Sequence, residues 1–202
     1  MKIALTGHRP QRLGLSNDEK SKDWEHIKDW LYGILLAMAY IEPVDIYSGM
    51  ASGSDILFAL TALKIKKNGL KAHLHCILPC KDYDTSNKYH VEIKKAADEW
   101  VELSDAFYKG CDNVRDQYLV DHCDILLAIW DGKKSGGVWS TIRKAQKAGK
   151  PIIYCPKAIL DYSKIFAENG IIDKFNSVGN TKPIPCDEIE TILNEGKTDG
   201  KS

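Results

Sequence analysis

The chain has 202 residues, 44% apolar and 28% charged, and its 28 Lys and Arg are matched by 28 Asp and Glu. This composition suits one globular domain with a real core and excludes a global field for nucleic acid; DNA or RNA would need a local basic patch. No apolar run approaches a membrane span, and Met1-Lys2 leads into a strand-like run without a signal peptide, so a cytoplasmic location is expected.

Lys2 to Leu5 read as a first strand, followed by the turn Thr6-Gly7-His8-Arg9-Pro10. Ser16-Asn17-Asp18-Glu19 has the form of a capping box. It predicts a long helix with Trp24, Ile27, Leu31, Leu35 and Met38 at helical spacing, closed by Pro43. Val44 to Tyr47 form a second strand, and Ser48-Gly49-Met50-Ala51-Ser52-Gly53 a second turn. Ser52-Gly53-Ser54-Asp55 repeats the capping pattern ahead of a helix that buries Ile56, Leu57, Leu60 and Leu63 and stops at Asn68-Gly69. Ala72 to Leu78 form a third strand ended by Pro79, and a polar loop from Lys81 to Lys88 carries Tyr83.

The spacing of Val91, Ile93, Ala96, Ala97 and Trp100 predicts a helix from Tyr89 to Leu103, then a short strand over Asp105 to Tyr108. Asp112 caps a helix running through His122. Ile125 to Trp130 is an uninterrupted apolar run of the kind buried on both faces of a sheet. Asp131-Gly132-Lys133-Lys134-Ser135-Gly136-Gly137 makes a third glycine-bearing turn. A helix from Val138 to Ala148 ends at Gly149-Lys150-Pro151, and Ile152 to Cys155 return to the sheet. Strands alternating with helices predict an α/β fold: a single Rossmann-like, doubly wound, mainly parallel sheet with helices on both faces. The domain is expected over residues 1–186, with 187–202 a C-terminal tail carrying a short helix. The G-x-G-x-x-G dinucleotide fingerprint and the Walker lysine motif are both absent.

In such a sheet the turns after the strands gather at one edge, where ligands bind. Gly7, Gly49, Gly53, Gly132, Gly136 and Gly137 allow close backbone approach, with Met50 and Ser52 in the same turns. Ser135, Ser140 and Thr141 add hydroxyls beside free amides at a helix start, the composition of an anion cradle. Arg9 beside His8 can hold a phosphate through two parallel hydrogen bonds. Asp55 either caps its helix or contacts a ribose hydroxyl. Arg115, on the helix before the central strand, either reaches the same pocket or pairs on the surface. Asp131 ends that strand, where an acid can bind sugar or polarise water. Asp131, Asp121 and Asp55 are the candidate acids if there is turnover. The six cysteines include no C-x-x-C pair, and several sit in apolar segments; no metal site and no cofactor beyond the ligand itself are expected.

Thr6 to Pro10, Ser48 to Asp55, and Arg115 to Gly132 followed by Ser135 to Thr141 together resemble the SLOG superfamily, and within it the DUF1273/YpsA-like group of bacteria and their phages. The resemblance runs in order over residues 1 to 156. It implies a Rossmann-like fold that binds nucleotides or their derivatives, and a homo-oligomer. Relatives include the DNA-processing protein DprA, which binds single-stranded DNA, and the Lonely Guy phosphoribohydrolases, which cleave a base from a nucleoside monophosphate. The latter carry P-G-G-x-G-T-x-x-E. Aligned on Gly136 and Gly137, this chain has Trp139 for the third glycine, Ser140 for the threonine and Arg143 for the glutamate. A cation cannot replace that carboxylate, so their hydrolysis does not carry over. Gly136, Gly137 and Thr141 match the G-G-x-x-x-T form of the DprA branch.

The expected function is therefore binding of a nucleotide or nucleotide-derived signal. Nucleotide hydrolysis at an N-glycosidic or phosphate bond is one alternative and DprA-like binding of single-stranded DNA another. Lys133, Lys134, Arg143, Lys144 and Lys147 form a basic stretch, but neutral net charge disfavours nucleic acid.

Overall fold

The computed structural model describes residues 1–84 and 86–169. Its compact unit runs from Met1 to Glu168, so the expected boundary at 186 and the tail helix lie outside the described residues. Six parallel strands form one sheet: β1 (Lys2–Gly7), β2 (Val44–Ser48), β3 (Ala72–Leu78), β4 (Glu99–Glu102), β5 (Ile125–Ile129) and β6 (Ile152–Tyr154), in the order β4-β3-β2-β1-β5-β6. The chain builds outward from β1 through β4, then returns to pair β5 with the other side of β1. The register Gly7↔Ile129 places the ends of those two strands side by side. This is a doubly wound sheet whose order reverses between β1 and β5, and ligands of open α/β sheets sit at such a switch point.

The helices are α1 (Pro10–Leu13), α2 (Glu25–Ile41), α3 (Ser54–Lys67), α4 (His90–Ala96), α5 (Cys111–His122), α6 (Gly136–Lys147) and α7 (Lys157–Asn169). Alternation along the strands decides which face each residue joins. Ile3, Leu5, Ile46, Leu74 and Leu127 pack with Leu31 and Leu35 of α2 and Phe58 of α3 on one face. Ala4, Tyr47, Ile77 and Leu126 pack with Leu119 and Val120 of α5 and Ala145 of α6 on the other. The central strands are buried on both faces, as parallel strands require.

Three local expectations are corrected. Ser16 to Glu19 do not cap α2. The Ser16 amide instead donates to Asp23 at 2.6 Å, and the Trp24 indole donates to the Ser16 carbonyl at 2.8 Å, so this segment folds as turns and a short 3-10 helix at Lys22–Trp24. Ser52 does not cap α3: its amide and hydroxyl both donate to Asp84, at 2.7 and 2.8 Å. The helix predicted from Tyr89 to Leu103 stops at Ala96, and the predicted strand at Asp105 to Tyr108 is irregular, because the strand lies earlier, at Glu99–Glu102. Asp98 forces the change. Its carboxylate accepts the Leu74 amide at 2.8 Å while its own amide donates to the Leu74 carbonyl at 2.9 Å, clamping the chain to the edge of β3. No helix among the described residues is long and apolar enough to cross a membrane.

Candidate functional site

The turns after β1 and β5, together with part of the turn after β2, meet over the switch point and enclose a cavity of about 400 Å³. Its walls include Gly7, His8 and Arg9 from the first turn, Ala51 and Asp55 from the second, and Ser135, Gly136 and Gly137 from the third. Arg12, Tyr83, Asp112, Arg115 and Asp116 complete it.

One end of the cavity is formed by the start of α6. Ser135 occupies the N-cap without a side-chain hydrogen bond to the helix, so the first-turn amides have no side-chain cap. Gly136 has φ 81°, the left-handed region that favours glycine, and a Cβ on either Gly136 or Gly137 would meet no atom within 4 Å. The missing side chains leave open space beside a helix start whose amides are positively polarised. Arg9 stands nearby. One of its nitrogens donates to the Tyr83 hydroxyl at 2.9 Å, another lies 3.7 Å from Asp84, and its side chain is 52% exposed. α1 positions it: Pro10 starts that single turn and Gly14, in the left-handed region, ends it.

The acidic residues of the wall are organised by Arg115. Its Nε donates to Asp116 at 2.8 Å, one terminal nitrogen donates to the Gly49 carbonyl and lies 3.4 Å from Asp55, and the other lies 3.7 Å from Asp112. Burial opposes the charge on Arg115, but Asp116, Asp55, Tyr83 and Asp112 outweigh it and raise its pKa. Thr141 donates to the second oxygen of Asp116 at 3.0 Å. Burial pushes the Asp55 carboxyl up to about 6, with Arg115 offsetting part of the effect and Asp116 adding to it.

This shift predicts a pH signature. A carboxyl whose folded pKa lies above its usual value near 3.8 favours the fold below that value, and the contribution disappears as pH rises through about 6. The shift corresponds to about 3 kcal/mol. Urea denaturation of wild type and Asp55→Asn at pH 4 to 7 should show wild type losing up to that amount relative to the variant across the window. A difference independent of pH would mean that the carboxyl is ionised throughout.

Asp131 does not line the cavity. It accepts from Arg12 at 2.8 Å and from the Lys133 amide at 3.0 Å, and lies 3.1 Å from His8 Nε2. Burial raises its pKa, yet those hydrogen bonds outweigh it and hold the group ionised far below the usual carboxylate range. Burial also lowers the pKa of His8, with Asp131 opposing. Asp131 thus holds His8 and Arg12, both of which line the cavity.

The remaining predicted residues divide between the cavity wall and the packing around it. Gly49 and Gly53 are required by packing: a Cβ on Gly49 would lie 2.8 Å from an Asp55 oxygen, and one on Gly53, at φ 95°, would lie 2.7 Å from Pro10. Gly7 lines the cavity and also leaves room for Ser54, whose hydroxyl would lie 2.6 Å from its Cβ. Met50 is buried, with its carbonyl against His90. Gly132 is exposed in its turn. Asp121 is exposed on α5, bonded to Gln117 at 2.7 Å. Ser140 and Thr141 lie in the second turn of α6, because that helix begins at Gly136, two residues earlier than predicted. Thr141 faces Asp116, and Ser140 joins Arg143, Lys144 and Lys147 along a separate basic surface. Trp139 stacks on Trp130 at 5.4 Å. His73 and His75 share Asp45, at 3.3 and 3.2 Å, while Cys76 is buried in the core.

Sequence reasoning had no role at this site for Arg12, Tyr83, Asp112 or Asp116. Arg12 follows Arg9 by one helical turn, a spacing that marks a shared face; Tyr83 carries no local signal.

Fold and site define a Rossmann-like α/β protein with a charged cavity at its topological switch point. The chain belongs to the YspA SLOG family, whose sequence profile matches residues 3–160. Among solved structures it is similar to DNA processing protein A (DprA) from Streptococcus pneumoniae, with TM-score 0.57 and 18% identity, over 84% of this chain. The chain spans 55% of the length of that structure, and the likeness shows a shared fold. No curated protein matches the chain.

Proposed function

We propose that the protein binds a nucleotide or nucleotide-derived ligand in the switch-point cavity. One observation carries this reading: uncapped helix amides, arginines and carboxylates line a single cavity. The charged side chains in its walls balance, Arg9, Arg12 and Arg115 against Asp55, Asp112 and Asp116. Arg12 and Arg115 are already committed to carboxylates. An anionic group is therefore met by the α6 amides and by Arg9, the most exposed of these cations and 3.7 Å from its nearest carboxylate, Asp84, and not by a general positive field. The carboxylates in the same wall accept hydrogen bonds from neutral donors, which suits ribose hydroxyls. A phosphate joined to a polyhydroxylated sugar uses both kinds of group at once.

The test is calorimetry with purified protein against nucleoside monophosphates, ADP-ribose and cyclic dinucleotides, with chromatography of each ligand after incubation. Binding at micromolar concentration with the ligand recovered unchanged is the expected result. No heat with any of them at millimolar concentration contradicts the reading. Turnover is the second reading, and Asp55 favours it, since a buried carboxyl near pKa 6 beside a ligand cavity can serve as an acid. That reading requires a product peak that Asp55→Asn removes. Binding of single-stranded DNA, the reading drawn from similarity to a DNA-processing protein, would instead use the basic face of α6 and show a salt-sensitive gel shift.

A further inference from the structure

A smaller cavity of about 140 Å³ lies beside the first, lined by Leu78, Tyr83, His90, Val91, Lys94 and Trp100, with Asp82 and Glu102 at its polar edge. Tyr83 is the residue the two cavities share. It is held between two non-glycine residues in the left-handed region, Asp82 at φ 59° and Asp84 at φ 50°. Such backbone is sparsely populated by residues with a Cβ and persists where surrounding contacts enforce it. Here Asp84 is anchored by the amide and hydroxyl of Ser52. The result is an aromatic ring standing as the wall between a phosphate-and-sugar cavity and a second compartment.

The compartment has the chemistry of a slot for a planar heterocycle. Trp100 offers an indole face, edge-on to His90 at 5.9 Å, and Leu78 and Val91 are apolar. Lys94 lies 4.9 Å over the Trp100 face on a 58% exposed side chain that an entering ring would displace, and Glu102 accepts the indole N–H at 3.0 Å. A flat ring with apolar faces and hydrogen-bonding edges meets the aromatic faces with its own and the charged rim with its edges.

We propose that this compartment is the nucleobase subsite of the ligand whose phosphate and ribose occupy the larger cavity, with Tyr83 as the gatepost between them. This rests on the nucleotide reading and extends it. The two halves are coupled through Arg9. Among the described residues, the hydrogen bond from Arg9 is the one the Tyr83 hydroxyl makes. A phosphate that draws the Arg9 guanidinium toward the α6 amides releases Tyr83, and the ring is then free to pack against the incoming base. Recognition of phosphate thereby opens the way to recognition of base.

The experiment compares ribose 5-phosphate with the four ribonucleoside 5′-monophosphates by calorimetry, on wild type, Trp100→Leu and Val91→Trp. Val91 is 65% exposed, so the larger side chain fills the compartment from its open side without disturbing the core. Wild type should bind at least one nucleoside monophosphate about tenfold or more tightly than ribose 5-phosphate, the increment expected of a stacked base. Both variants should erase that increment and leave affinity for ribose 5-phosphate unchanged. Equal affinity of wild type for all five compounds overturns the subsite, as does an increment that survives both substitutions. Failure of all five to bind wild type overturns this inference, and the nucleotide reading falls with it if ADP-ribose and the cyclic dinucleotides fail as well.

Discussion

Arg115→Met should lower the stability of the protein by about 3–5 kcal/mol, the cost of removing one partner from a buried ionic network. The arginine is 6% exposed and holds the Gly49 carbonyl, Asp55 and Asp116 together. Without it two largely buried carboxylates remain with no cation between them. The loss is a large share of the stability of an ordinary domain and corresponds to a fall of about 10 °C in the melting temperature. Lysine should not rescue it, because a single ammonium cannot bridge three acceptors arranged around a planar fork. Adding Asp55→Asn to Arg115→Met should recover part of the loss by removing one stranded charge. Thermal and urea denaturation of the four proteins decide the matter. A methionine variant within about 1 kcal/mol of wild type would show that the network contributes specificity without stability.

Gly137→Val tests the opposite property, function without stability. The added Cβ meets no protein atom within 4 Å, and the position lies inside α6, where valine is at least as good a helix former as glycine. The melting temperature should therefore stay within a degree or two or rise. The side chain would project into the space beside the helix start, so affinity for phosphate-bearing ligands should fall about 100-fold, close to 3 kcal/mol. Unchanged affinity would move the anion away from this helix. Gly136 is a poorer test position, because its positive φ makes any larger residue strained whatever the ligand does.

The three glycine turns illustrate what the sequence can and cannot disclose. A parallel sheet places all strand ends at one edge, so apolar runs followed by turns were enough to bring Gly7, Arg9, Asp55 and Gly137 into one neighbourhood. The sequence could not tell a glycine kept small for a ligand from one kept small for a neighbour. Gly136 and Gly137 face open space, whereas the Cβ positions of Gly49 and Gly53 are taken by Arg115 with Asp55 and by Pro10. These differences arise from tertiary packing. The same holds for β4. Glu99 to Glu102 carry no strong strand signal, and Trp100 fits a helical spacing from Ile93 as well as it fits a strand. The deciding contact is the Asp98 clamp on Leu74, between residues 24 apart. Asp131 is a related case: an acid at a strand end reads in sequence as open to a ligand, and only the structure shows that Arg12 and His8 hold it. Tyr83 escaped notice because a tyrosine in a polar loop looks ordinary until the flanking aspartates are seen in the left-handed region.

The central claim concerns where a phosphate lies, and crystals soaked with a nucleoside monophosphate answer it directly. Difference density for the phosphate should appear within hydrogen-bonding distance of the Gly136 and Gly137 amides, with Arg9 turned toward it and the sugar hydroxyls beside Asp55, Asp112 or Asp116. A phosphate seated on Arg143 and Lys147 along the outer face of α6, with the switch-point cavity left to solvent, would contradict the account.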